Sequence, residues 1–292
     1  MLAGIQAAFP ELADLAPIGV MGGQKEVFRG RIGSENVVIK IIKHYEGGID
    51  RAEREVIAVE KLKSIVADFP SRTVPRVLAA GERIINSENR YFIIEEFIEG
   101  QNLRQYLGSH PVLSLEVTLR LAERLLRACL DFEAVNLVHR DINPRNIMIG
   151  SDGRVWVIDF GLARHLDLPS ITENGTYKGI GGTLGYTAPE VLRNDKGEVN
   201  IRADLFSVGI VLYEVVSGNN PHCRGNPDPL TIVRRVENEN LPSLTVAGDR
   251  SNAFGLYVLS LCNRFLSRRP QTAQEAWEWF ASIRQHLQMG TP

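Results

Sequence analysis

His139-Arg140-Asp141-Ile142-Asn143-Pro144-Arg145-Asn146 decides how this chain is read. It places an acid, Asp141, five residues before an amide, Asn146, and it leads into the apolar triplet Ile147-Met148-Ile149. A second acid comes in Asp159-Phe160-Gly161, at the end of the buried-strand pattern Val155-Trp156-Val157-Ile158. A carboxylate that can accept a hydroxyl proton, with an amide and a carboxylate that can hold a metal ion, is what phosphoryl transfer from a nucleotide requires.

Composition bounds the rest. The 292 residues, 44% of them hydrophobic, suit one large domain or two packed lobes with a sizeable core. A net charge of -2 gives no sign of a nucleic-acid partner. Three scattered cysteines, Cys129, Cys223 and Cys262, argue against a disulfide framework and fit a reducing compartment. No apolar run approaches a membrane span, and Met1 to Phe9 lacks the basic stretch of a signal peptide. The expectation is a cytoplasmic protein with no membrane partner; oligomeric state is left open.

Upstream of the central stretch, residues 1–16 read as an apolar and acidic lead-in, a short helix broken at Pro10 that packs onto the strand-rich segment after it. From 17 to 97 the pattern is mostly strands: Ile18 to Met21, Val27 to Ile32, Val37 to Ile42, Val77 to Ile85 and Tyr91 to Phe97. Gly19, Gly22 and Gly23 lie between the first two, where backbone N–H groups can approach a phosphate because no Cβ intervenes. Lys25, just beyond, reads as a residue facing water, with contact to a phosphate as the alternative. Lys40 ends the apolar run Val37-Val38-Ile39, and Glu55 comes fifteen residues later in a helical pattern. From 98 onward the chain turns helical. Ser114 caps an apolar stripe that includes Cys129 and Phe132, a buried helix opens near Arg202 and stops at Gly218, and helices are expected near 230–236, 252–266 and 272–287. Thr272-Ala273-Gln274-Glu275 fits a capping box. Residues 288–292 are a tail.

Taken in order, these motifs resemble a protein kinase of the serine/threonine class, similar to the eukaryotic-like kinases of prokaryotes. The resemblance covers roughly residues 17–285 and implies an α+β, bilobal fold: a small antiparallel-sheet lobe (17–97) with one regulatory helix, and a larger helical lobe (98–287), with ATP between them. It implies roles residue by residue. Asp141 orients the substrate hydroxyl and accepts its proton; Asn146 and Asp159 hold magnesium, or manganese in its place. Lys40 binds the α- and β-phosphates and is held by Glu55. Gly19, Gly22, Gly23, Val27 and Val38 cover the nucleotide, and Met148 floors the adenine. The backbone of Glu96 and Ile98 pairs with the adenine edge, and Asn102 is a candidate for the ribose hydroxyls. Thr183, in Gly182-Thr183-Leu184-Gly185-Tyr186-Thr187-Ala188-Pro189-Glu190, would bond to Asp141. Ser170, Thr172, Thr176 and Tyr177 are candidate phosphorylation sites, with Arg140 as a possible receiver.

The chain departs from the family at several places. Only Gly22 falls in register with the family's three glycines; the third position holds Lys25. Glu95 takes a position that is usually apolar, so it needs an internal partner or the register shifts by one. Asn143 stands where serine/threonine kinases carry a lysine, and Arg145, where tyrosine kinases place an arginine, is the candidate replacement cation. The expected activity is transfer of the γ-phosphoryl of magnesium-ATP to serine or threonine hydroxyls of a protein substrate, with autophosphorylation in the activation segment. The alternatives are a small-molecule kinase of related fold and a nucleotide-binding pseudokinase scaffold.

Overall fold

The computed structural model describes residues 2–18, 25–42, 55–58, 60–62, 72–166 and 184–289. The chain divides into two compact units: 1–99 with 159–162, and 100–158 with 163–292.

The first unit is built on one antiparallel sheet of five strands, in the order β1-β2-β3-β5-β4. These are β1 (Leu12–Pro17), β2 (Lys25–Ile32), β3 (Glu35–Ile42), β4 (Val77–Ile85) and β5 (Glu88–Glu96). Successive side chains of a strand point to opposite faces, so the sequence alternation sorts two surfaces. Phe28, Val37, Ile39, Ile41, Phe92 and Ile94 form the apolar one. It is covered by α1 (Leu2–Ala8), whose Ile5 is fully buried, and by Phe9 and Leu12. The Phe9 and Phe92 rings meet edge to face at 4.8 Å. The lead-in thus closes the core of this unit.

The other face carries Lys25, Val27, Val38, Lys40, Ile93 and Glu95, placed together by the pairings Val27↔Lys40, Lys40↔Ile93 and Val38↔Glu95. Residues 55–58 and 60–62 are helical (α2) and bring Glu55 to this face.

The first strand differs from expectation. It occupies Leu12–Pro17, upstream of the expected Ile18 to Met21; Ile18 donates its N–H to Val27 O at 2.9 Å, and 19–21 lie outside the described residues. Sequence pattern misses this strand because Ala, Asp and Pro are poor strand formers that only an edge tolerates. A register shift between Ala13 and Ala16, with Asp14 at φ 55°, bends it there.

The second unit is helical: α3 (Leu103–Ser109), α4 (Leu115–Ala134), α5 (Pro189–Leu192), α6 (Ile201–Ser217), α7 (Pro229–Asn238), α8 (Ala253–Leu261) and α9 (Ala273–Met289). Short strands β6 (Gly100–Asn102), β8 (Ile147–Gly150) and β9 (Val155–Val157) form a three-stranded sheet, and β7 (Leu137–Val138) pairs with β10 (Arg164–His165). Helix α6 is buried nearly all round and is the centre of this unit. A Cβ on its Gly209 would stand 2.8 Å from the Cys262 backbone nitrogen, so glycine is what lets α6 and the end of α8 touch.

Two helix ends differ from expectation. Helix α8 stops at Leu261 rather than 266, because Asn263 Oδ1 takes the Phe265 N–H at 3.0 Å and turns the chain. At α9 only half of the expected capping box forms. Thr272 Oγ1 accepts the Glu275 N–H at 3.0 Å, while the Glu275 carboxylate takes the N–H of Gln271 instead.

His222 lies under α6, stacked on Phe206 at 6.2 Å, with its Nδ1 at 2.9 Å from the Gly185 carbonyl. Burial pushes its pKa from 6.5 down to about 4. Between these values the unfolded chain takes up a proton that the folded chain refuses. Stability therefore falls as pH drops from 6.5 toward 4, by about 3 kcal/mol from this residue. Urea unfolding of the protein and of His222→Gln at pH 7 and 4.5 should give a smaller loss in the variant. Equal losses would show that the imidazole is not held neutral.

Candidate active site

In the first unit, Glu55 is 1% exposed and divides its carboxylate between two lysines. Lys40 Nζ donates to Oε1 at 2.8 Å, and Lys25 Nζ pairs with Oε2. Lys40 also meets Glu95 Oε1 at 2.7 Å, and Lys25 also meets Asp159 Oδ1 at 2.7 Å. Burial works against charge on Lys40, but Glu55 and Glu95 outweigh it and hold its pKa above the ordinary value. Burial would raise Asp159, yet Lys25 and Lys40 hold its carboxyl well below the usual range. Glu95 is kept above its usual range by burial, which Lys40 only partly offsets.

One sequence expectation changes here, and one alternative is decided. Lys25 does not face water; it bridges Glu55 and Asp159. The pairing of β2 with β3 places it there, since Lys25 and Val27 share a face of β2 and Val27 pairs with Lys40. The register at Glu95 is not shifted, and its internal partner is Lys40 itself. Val27 and Val38 are half-buried on the same face. The Glu96 carboxylate accepts from Arg72 at 2.8 Å. Gly19, Gly22, Gly23, Thr183, Ser170, Thr172, Thr176 and Tyr177 lie outside the described residues.

In the second unit, β7 and β8 bracket the central stretch. Asp204, at the start of α6, is wholly buried and accepts the N–H of His139 at 2.7 Å and of Arg140 at 2.9 Å. This clamp holds Arg140 at φ 64°, a left-handed conformation that a side chain disfavours and a surrounding structure must impose. Burial pushes the Asp204 pKa up to about 7, against the pull of those two N–H groups. His139 packs on Phe132 at 5.8 Å, and its Nδ1 accepts the Asp141 N–H at 3.2 Å.

Two amides then fix Asp141. Asn143 Nδ2 donates to Asp141 Oδ1 and to its carbonyl, both at 3.0 Å. Asn146 Nδ2 donates to Oδ2 at 2.7 Å and to the same carbonyl at 2.9 Å. Asn143 is 2% exposed, and its Oδ1 takes the Arg145 N–H at 2.9 Å. The residue that stands in the lysine position is therefore a strut for the acid, a role that spacing alone did not show. Arg145 is exposed. Asn102 caps α3 by accepting the Gln105 N–H at 2.9 Å, so its carbonyl oxygen is committed there. Met148 lies on β8, paired with Asn102 and Trp156.

Asp159 offers carboxylate oxygens. Asn146, with its nitrogen committed to Asp141, offers an amide oxygen. Hard oxygen donors of this kind suit magnesium or manganese, so the residues fit the ion that the motif implies.

The protein kinase domain family matches residues 18–278. The chain belongs to that family. Its sheet unit and helical unit are those of the protein kinase fold. Serine/threonine-protein kinase PknA of Mycobacterium tuberculosis is 33% identical over 212 residues, 72% of this chain and 47% of that protein. "Probable serine/threonine-protein kinase PknB" of Lactococcus lactis is 26% identical over 230 residues, 76% of this chain and 34% of that protein. The chain thus spans about a third to a half of the length of these bacterial relatives. Within the kinase domain, Glu190 pairs with Arg269, with N–O distances of 2.7 and 3.0 Å. Among the described residues no helix is long and apolar enough to cross a membrane.

Proposed function

We propose that this kinase domain transfers the γ-phosphoryl of ATP to serine or threonine hydroxyls of a protein. The observation that carries the reading is the carboxylate of Asp141, held on both oxygens by Asn143 and Asn146, in a domain whose relatives are named serine/threonine-protein kinases. Asp141 would orient the hydroxyl and take its proton as the oxygen bonds to the γ-phosphorus and the bond to the bridging oxygen of ADP breaks. Lys40, kept charged by Glu55 and Glu95, would hold the nucleotide phosphates. Lys25 is a second cation suited to the same work. Asp159 and Asn146 would hold magnesium or manganese, which supplies charge neutralisation on the phosphate oxygens. Glu96, Ile98, Val27, Val38, Met148 and Asn102 would seat the nucleoside, and Gly19, Gly22 and Gly23 would cover the phosphates. Thr183 and Arg145 would serve the acceptor side, and the activation segment is a site of autophosphorylation.

The test is incorporation of labelled phosphate from magnesium-ATP into generic protein substrates, beside Asp159→Ala, followed by acid hydrolysis. Phosphoserine and phosphothreonine from the protein, with at least a 100-fold loss in the variant, is the expected result. Equal incorporation by the variant, or none by either, would sink the enzyme reading; predominant phosphotyrosine would overturn the hydroxyl class.

A further inference from the structure

A cavity of about 470 Å³ opens in the second unit beside the catalytic stretch. Asn143, the strut of Asp141, forms part of its wall. The wall also carries Arg104, Arg145, Arg224, Tyr186 and Glu214, so three arginines face one carboxylate. That carboxylate is already used. Glu214 is 5% exposed; Arg104 Nη1 reaches its Oε1 at 2.9 Å, and Arg104 Nη2 its Oε2 at 3.3 Å. The Tyr186 hydroxyl also donates to Oε2. A basic ligand entering here would find no acceptor charge.

Arg145 and Arg224 are both exposed. The Arg224 guanidinium stands 3.8 Å from Glu239, a loose pair at the surface that a better-placed anion can displace. The remaining wall includes the amides of Asn219 and Asn226, which can complete hydrogen bonds to oxygen.

We infer that this cavity seats an acidic side chain of the protein substrate, so that the domain selects hydroxyls with aspartate or glutamate nearby. A carboxylate on an extended peptide meets Arg145 and Arg224 as planar forks, the geometry in which guanidinium groups bind carboxylates bidentately. The inference rests on the kinase reading and names its substrate class. It also gives Arg104 a purpose: it neutralises Glu214, the carboxylate in the cavity wall, which would otherwise repel an acid.

The experiment is a positional peptide library around one serine, with aspartate, lysine or phosphoserine at each flanking position, run with the protein, Arg224→Glu and Arg224→Lys. In parallel, binding of a fluorescent acidic peptide is read by polarisation without ATP. The expected result is about a tenfold preference for aspartate at one or two positions. Arg224→Glu should reverse it toward lysine at the same position, and Arg224→Lys should keep its direction. Preference for lysine in the unaltered protein, or an unchanged preference in Arg224→Glu, overturns the inference. A preference for phosphoserine far above aspartate moves the seat from carboxylate to phosphate and overturns it as stated. If no peptide is phosphorylated, polarisation separates the two claims. Acidic-peptide binding lost in Arg224→Glu keeps the seat and sinks the activity; no binding sinks both.

Discussion

Asp141→Asn should lower kcat by about 10²–10⁴-fold while leaving the KM for ATP within a few-fold. The size comes from how the acid is held. Each carboxylate oxygen accepts one amide N–H, from Asn143 at 3.0 Å and from Asn146 at 2.7 Å. An asparagine at 141 brings its own NH2 against one of those donors, so a hydrogen bond becomes a donor–donor contact. It also removes the negative charge that makes the carboxylate basic enough to take the hydroxyl proton. The loss should therefore fall on the chemical step and not on nucleotide binding, which is assigned to other residues. Steady-state kinetics with magnesium-ATP and a serine peptide reads it directly. A kcat within tenfold of the unaltered protein would remove Asp141 from the proton transfer.

Legibility in the sequence differs between the sheet and the site. The strands from Val27 to Phe97 were readable because alternation separates an apolar set, Val37, Ile39 and Ile41, from Val38 and Lys40 on the other side. Leu12–Pro17 was not, because an edge strand is held by one neighbour and carries little pattern of its own. The Lys40–Glu55 pair could be inferred from family order, and the structure has it at 2.8 Å. What escaped was the second layer. Lys25 looked like a hairpin lysine until the pairing of β2 with β3 put it on the Lys40 face. Glu95 looked out of place until the register put Lys40 across from it. Asn143 looked like a missing lysine until its amide was seen on Asp141. In each case residue type was visible, but the partner was set only by the folded geometry around it. The helix ends failed for a local reason: at 263 and 275 polar side chains chose a nearby backbone N–H that periodicity does not weigh.

Arg269→Met should destabilise the domain by about 3–5 kcal/mol. Arg269 and Glu190 are buried side by side, 0% and 1% exposed at the side chain. The guanidinium also donates to the carbonyls of Asn263 at 2.7 Å and Arg202 at 3.0 Å, and lies over the Phe206 ring at 4.8 Å. One side chain thus ties the start of α5, the start of α6 and the turn after α8. Methionine keeps most of the apolar stem but leaves the Glu190 charge and two carbonyls without their donor. For a domain of this size the loss corresponds to a fall in Tm of roughly 10 °C. The double variant Glu190→Leu with Arg269→Met separates charge from packing. Removing both ions of a buried pair is often close to neutral, so the double should recover more than half of the loss. Urea unfolding of the three proteins decides it. If the single variant loses under about 1 kcal/mol, the pair is not what joins these segments. If the double is as weak as the single, the two carbonyls and the Phe206 contact carry the stability, and the ion pair only fills the space between them.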